Sequence, residues 1–299
     1  MIDRLINRGP KAVALAVLRN IDRYWYLLSG VQYVTKNIHG YRMILDMEDP
    51  GISRSLMLYR ERELETKKIL EDLVRPGMMI YDIGANIGYY SNMFLWLADV
   101  KLVCVEPLWP NVLLTKKNLA LNGYHTIPVI HAAVSNRKGE SVFYVSDSSN
   151  LGTLNPNDSK FTHTLPTQLI TLADIAAKYG KPDLIRMDVE GHEVEILSTL
   201  NKDLMPIVVF ETHHDRYNAQ HDMMTVMQDL FDLGYHVSTI ATANPGITRR
   251  LIQLGSLPRT TIGTDATYRT FFKDVDNSIA LDLICGRGGA RTVVLQPIS

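Results

Sequence analysis

Cysteine is scarce: two in 299 residues, Cys104 and Cys285, far apart and each in an apolar stretch. No Cys-x-x-Cys pair and no Cys/His spacing of a zinc site occurs. Two isolated thiols fit a reducing compartment better than a disulfide framework, so a cytoplasmic protein is expected. An excess of one charge is also lacking, since 31 basic residues meet 32 acidic ones for a formal net charge of −1. Proteins that coat DNA or RNA usually carry a basic excess, so no nucleic-acid partner is expected. Long hydrophobic runs are absent too. Residues 12–18 form the longest, flanked by Lys11 and Arg19, whereas a spanning helix needs about 20 apolar residues. Asp3, Asp22 and Arg23 make that run a poor secretion signal. There is no internal repeat and no low-complexity tract. What is present is 46% hydrophobic residues, ample for a core and against disorder.

Two regions are read along the chain. Residues 1–60 form an N-terminal helical extension and a hairpin; residues 61–299 form one α/β domain. In the first helix Val13, Val17, Ile21, Tyr24 and Leu28 recur at helical spacing, while Arg4, Arg8, Lys11, Arg19 and Arg23 make it basic. That pattern leaves open a helix packed on its own domain and one that meets a partner or a membrane surface. A homo-oligomer is left open as well. Residues 32–37 and 41–47 alternate around His39-Gly40 as a hairpin. Residues 61–74 read as a helix stopped by Pro76-Gly77. From residue 78 the pattern becomes strand, loop, helix. Strands are expected at 78–83, 102–106, 127–133, 183–188, 207–211, 235–240 and 279–285, and helices at 89–97, 111–122, 192–200 and 223–233. Such alternation implies a mostly parallel sheet with helices on both faces, buried on both sides because its strands are continuously apolar. Residues 142–145 read as an inserted strand and 146–166 as a loop over the site.

The sharpest feature is Asp82-Ile83-Gly84-Ala85-Asn86-Ile87-Gly88, between a strand and a helix. In a doubly wound sheet, nucleotide cofactors sit at that junction. The Gly-x-Gly-x-x-Gly of dinucleotide enzymes is absent, which argues against an NAD-dependent oxidoreductase, and so is the Gly-Lys-Ser/Thr of a P-loop. Gly84 and Gly88 allow a tight turn and a close backbone approach. Asp82 would repel a pyrophosphate but suits a cofactor with a cationic centre and an ammonium group, and S-adenosylmethionine has both. Glu106 ends the second strand, where an acid accepts hydrogen bonds from ribose hydroxyls. Asn86 offers a side-chain amide, and Ala133-Val134 at the third strand's end leave room for adenine.

These residues, with Val105-Glu106-Pro107, Ala132-Ala133-Val134-Ser135, Met187-Asp188-Val189-Glu190-Gly191-His192-Glu193 and Phe210-Glu211-Thr212-His213, resemble the FkbM-type S-adenosylmethionine-dependent methyltransferases from about residue 30 to residue 240. The Asp-Val-Glu-Gly-x-Glu block is the most specific element; His192 stands where members usually have Ala. The resemblance implies a Rossmann-like class I methyltransferase fold, with a seven-strand sheet and one antiparallel strand near its edge. It implies methyl transfer, most often to a hydroxyl of a sugar, glycan or natural product. It also matches Glu63 to a family glutamate in the helix before the first strand.

At the reacting end, Asp188 and Glu211 end the fourth and fifth strands and should face the methyl. Asp188 could take the acceptor's proton or fix the cofactor's amino group. Glu190 and Glu193 could share a helix face, or simply stabilise a helix N-terminus. His213 is the natural general base, with His214 and His192 nearby. Asp188, Glu211 and His213 have the donor types of a divalent-cation site, but the spacing does not demand one and no metal is expected. An O-methyltransferase is the leading expectation, ahead of an N-methyltransferase and of a non-catalytic cofactor-binding module.

Overall fold

A computed structural model describes residues 2–146, 152–155, 161–213, 217, 222–264, 267–286 and 291–298. Helix α1, Ile2–Leu28, is followed by a hairpin of β1, Tyr33–Ile38, and β2, Tyr41–Asp46. Two short helices come next, α2, Ile52–Tyr59, and α3, Leu64–Leu73. The expected single helix at 61–74 therefore starts later, because Arg60 and Glu63 both take positive φ and break the chain between them.

The repeating part runs β3, Met79–Ile83; α4, Tyr89–Leu97; β4, Lys101–Glu106; α5, Trp109–Leu121; and β5, Val129–His131. An excursion of β6, Ala133–Val134, β7, Gly139–Val145, and β8, His163–Ile170, forms a separate small sheet ordered β6-β8-β7. The expected strand at 127–133 is thus two, divided between two sheets, and the end of the expected 146–166 loop is strand. Much of that loop lies outside the described residues. The chain continues with α6, Leu172–Tyr179; β9, Leu184–Met187; α7, Glu193–Leu197; β10, Ile207–Glu211; α8, Met223–Leu233; and β11, Tyr235–Thr242. Last come α9, Pro245–Gln253; β12, Pro258–Thr264; β13, Thr267–Val275; α10, Asn277–Gly286; and β14, Thr292–Pro297.

The main sheet is ordered β12-β13-β11-β14-β10-β9-β3-β4-β5. From β5 to β10 all pairs are parallel. β14 enters antiparallel between β10 and β11. This is the class I methyltransferase arrangement, widened by two strands, since β13 and β12 add antiparallel pairs beyond β11. The expected last strand at 279–285 is helix α10 instead. A short apolar run does not reveal its period; here Ala280, Leu283 and Ile284 point inward at helical spacing, and Asp276 accepts hydrogen bonds from the Ser278 N–H and hydroxyl.

Alternation along the central strands divides the core in two. Tyr81, Ile83, Val103 and Val105 pack with α6 to α10 on one face. Ile80, Leu102 and Cys104 pack with the hairpin and α2 to α5 on the other. Among the described residues no helix is long and apolar enough to cross a membrane.

Helix α6 starts where Thr171 and Asp174 close a reciprocal capping box. Thr171→Ala should lower stability by about 1 kcal/mol, read as an earlier urea midpoint at unchanged slope.

Candidate active site

Strand β3 ends in the glycine loop, which presses against the end of β9. Gly84 has φ +75, and a Cβ there would lie 2.2 Å from the Asp188 carbonyl oxygen. The Gly84 and Ala85 N–H groups both donate to the Val105 carbonyl, tying the loop to β4. The Asn86 N–H donates to one Glu106 oxygen at 2.8 Å; the other accepts from the Leu108 N–H at 2.9 Å and the Asn111 amide at 3.3 Å. Burial pushes the Glu106 carboxyl up to about 7 despite these donors. Around the loop opens a cleft with about 810 Å³ of empty space, the open solvent at its mouth included. Glu106, Gly84 and Asn86 line its middle. Leu108, Ala132, Ala133, Val134, Phe143 and Leu154 form an apolar slot at one end; Arg62, Glu63, Arg186, Asp188 and Glu190 make the other end charged.

Two expected cofactor residues do not line this cleft. Asp82 shares the sheet face of Cys104, beneath the loop, and is fully buried. Its carboxylate accepts from the Ser91 hydroxyl at 2.6 Å and lies 3.5 Å from Arg186. Strand alternation sends Asp82 away from the cleft, so it anchors Arg186 rather than meeting a cofactor ammonium directly. Gly88, with φ +81, is the N-cap of α4 and packs against Thr115. Glu63 does line the cleft, but at the left-handed N-cap of α3 rather than inside a helix. It pairs with Arg62 and accepts from the Tyr90 hydroxyl at 2.6 Å.

The sequence reading missed Arg62, Tyr90 and Arg186. Arg186 is a buried cation in the otherwise apolar β9. It donates to Asp188 at 2.9 Å and to the Gly84 carbonyl at 3.3 Å, and its guanidinium lies 4.2 Å from the centre of the Tyr90 ring. An arginine inside an apolar strand, two residues before an acid, was the available signal.

At the ends of β9 and β10 the structure gathers Asp188, Glu211 and His213, with ligand-type atoms within 4.8 Å of one another. The His213 Nδ1 lies 2.8 Å from the buried Glu193, and its Nε2 lies 3.3 Å from Glu190 and 3.8 Å from Asp188. Glu193 in turn accepts from the Gly191 N–H at 3.0 Å. A carboxylate behind an imidazole whose other nitrogen faces further acids is an arrangement that suits a divalent cation, so these three residues could hold one. Burial disfavours the imidazolium, but Glu193, Glu190 and Asp188 outweigh it and raise His213 to about 10. His213 is therefore a cation at neutral pH, not the free base expected from its type. Glu211 goes up to about 8, through burial first and then the neighbouring Glu63, Asp188 and Glu190. Asp188 is held low: burial opposes this, but Arg186, His213 and Arg62 prevail. His192 lines the cleft but turns to Ser135, 3.0 Å away, and Glu195, 3.4 Å away. His214 lies outside the described residues.

The methyltransferase FkbM domain model matches residues 82–237, just over half of the chain. The protein belongs to the FkbM methyltransferase family. No curated protein matches it. Among solved structures, precorrin-6y C5,15-methyltransferase from Geobacter metallireducens is similar at 12% identity and TM-score 0.38, covering 77% of this chain and 86% of that one. TYW2 from M. jannaschii, in complex with AdoMet, is similar at 11% identity and TM-score 0.43, covering 89% and 87%.

The cofactor of this FkbM methyltransferase is S-adenosylmethionine, and the cleft fits it by donor chemistry. The apolar slot with Ala133 and Val134 suits adenine. Glu106 retains acceptor capacity for ribose hydroxyls. The far end offers both Arg62 for a carboxylate and Glu63 and Asp188 for an ammonium group.

Glu106→Gln removes a charge-assisted acceptor, worth about 1.5–3 kcal/mol. Its affinity for S-adenosylhomocysteine should fall at least roughly tenfold by calorimetry; wild-type affinity would show that Glu106 does not touch the ribose.

The raised groups also set a pH dependence. Glu211 holds its proton in the fold up to about pH 8 but in the unfolded chain only to about 4. Its contribution to stability is therefore present at low pH and lost as pH rises through 8. His213, held up to about 10 against about 6.5 unfolded, has the same sign. The Tm without cofactor should fall from pH 5 to pH 9, and Glu211→Gln should flatten the stretch below 8; equal slopes in both proteins would refute this.

Proposed function

We propose that this methyltransferase methylates a hydroxyl of a sugar, glycan or natural product in the cytoplasm. The observation that carries the reading is Glu211, a carboxyl held near neutrality behind the charged end of the cofactor cleft, within 4.8 Å of Asp188, which lines that end. A hydroxyl acceptor keeps its proton at neutral pH, so transfer is helped by a base whose pKa lies near working pH. Glu211 has that property, whereas Asp188, tied to Arg186, is too weak a base. S-adenosylmethionine, when bound, supplies an electrophilic methyl on a cationic sulfur. Asp188 then serves as a fixed negative charge toward that cationic end. Glu193 orients His213, and the imidazolium offsets the repulsion among Asp188, Glu190 and Glu211. Both cysteines carry thiols rather than a disulfide, which supports a reducing compartment.

An amine acceptor is the second reading, favoured by the three acids Glu63, Asp188 and Glu190 on the cleft wall, which would attract an ammonium group. One substitution separates the two. With labelled methyl and a panel of hydroxyl and amine acceptors, Glu211→Gln should lower kcat about 10²–10⁴-fold on the hydroxyl acceptor while S-adenosylhomocysteine binds within a few-fold of wild type. Full turnover on an amine would support N-methylation instead. Asp188→Asn should weaken S-adenosylhomocysteine binding; normal binding with slow turnover would exchange the roles of Asp188 and Glu211.

A further inference from the structure

Helix α1 buries only part of its apolar surface. Toward the body it presents Tyr26 and Leu27, which pack against the core, Arg19, which donates to the Leu58 carbonyl of α2 at 2.7 Å, and Arg23, which is buried. Away from the body it presents an apolar stripe. Leu18, Ile21, Trp25 and Leu28 recur at spacings of three and four, on one helix face, and are 59%, 50%, 67% and 83% exposed. Leu15, Val17 and Tyr24 widen the stripe, and Tyr33 adds a further exposed ring at the start of β1. A surface helix ordinarily buries such a stripe and gives its charges to water. A contiguous apolar patch of this kind on a folded chain marks a surface that something covers.

We propose that α1 docks this protein on a membrane surface rich in anionic lipid, lying in the interface plane. Charge complementarity selects this occupant. Residues 2–28 hold five basic residues against two acidic ones, in a chain whose total net charge is −1. With Arg19 and Arg23 turned to the body, Arg4, Arg8 and Lys11 remain to attract anionic headgroups; at helical spacing they continue the face of Leu15, Leu18 and Trp25. The aromatic types agree, since Trp and Tyr concentrate at membrane–water interfaces, and Trp25, Tyr24 and Tyr33 are exposed together. The helix is not apolar enough to span, so an in-plane position is the one its chemistry allows. None of this depends on the acceptor of methyl transfer.

The test is co-sedimentation of the full chain with vesicles of phosphatidylcholine alone and of phosphatidylcholine with phosphatidylglycerol. The wild type should partition onto the anionic vesicles, and added salt should weaken it. The double substitution Trp25→Ser, Leu28→Ser removes two large side chains from the lipid contact. It should bind at least roughly tenfold more weakly with its Tm unchanged, because both side chains are exposed in the fold. Equal binding by variant and wild type would overturn the proposal, as would equal partition onto both vesicle types or none onto either. A concentration-dependent dimer that the same double substitution abolishes would overturn it too, by assigning the stripe to a second copy.

Discussion

The site depends on one buried cation. Arg186 sits in the middle of the sheet, where an unpaired charge would be prohibitively costly. It is paired from both sides, by Asp82 across the strand pair and by Asp188 just beyond the end of its own strand. The same guanidinium bonds the Gly84 carbonyl and lies over Tyr90. One side chain thus ties the glycine loop, the end of β9 and the first turn of α4 together. Removing one partner of such a network leaves the other charges uncompensated, so these residues act as a unit. Asp188 is presented to the cleft in one orientation because its second oxygen belongs to Arg186.

Beyond that anchor the cleft carries a surplus of acid. Glu63 and Glu190 line it with Asp188 and Arg62; behind them His213 meets Glu190, Asp188 and the buried Glu193, and Glu211 lies within 4.8 Å of Asp188 and His213. The balance settles each protonation state differently. Asp188 remains ionised, Glu211 keeps its proton to about pH 8, and His213 keeps its own to about 10. Neighbouring groups with their proton affinities pushed apart are how one site holds an acid and a base at the same pH. The fixed acids at this end also match a ligand that bears positive charge, which is the chemistry of S-adenosylmethionine.

The N-terminal part is built on a different balance. The hairpin joins the sheet core through Val34, Ile38, Met43 and Leu45, and α2 leads into Arg62 and Glu63 on the cleft wall. Helix α1 rests on α2 with Arg19 and Arg23 inward and its apolar stripe outward, so the layer that supports the cleft wall also carries the exposed surface.

The parallel strands β3, β4, β9 and β10 and the helices α4, α5, α7 and α8 were legible because buried parallel strands are continuously apolar and their helices are amphipathic; helix α6 and the small β6-β8-β7 sheet were not. The glycine loop, Glu106 and the acids at the ends of β9 and β10 were legible because topology places strand ends at the ligand. Period and propensity did not distinguish α10 from a strand, since the apolar run at 279–285 shows no clear period. Nor did they reveal the two-strand extension of the sheet, whose pairs are joined only in three dimensions. Sequence position gave Asp82 to the cofactor, whereas strand alternation gives it to Arg186. Residue type made His213 a base, whereas Asp188 and Glu190 after β9 and Glu193 at the start of α7, brought to it by the fold, keep it charged. The residues themselves fixed which chemistry was available; the tertiary structure decided which group faces which, because a pKa and an exposed face depend on neighbours distant along the chain.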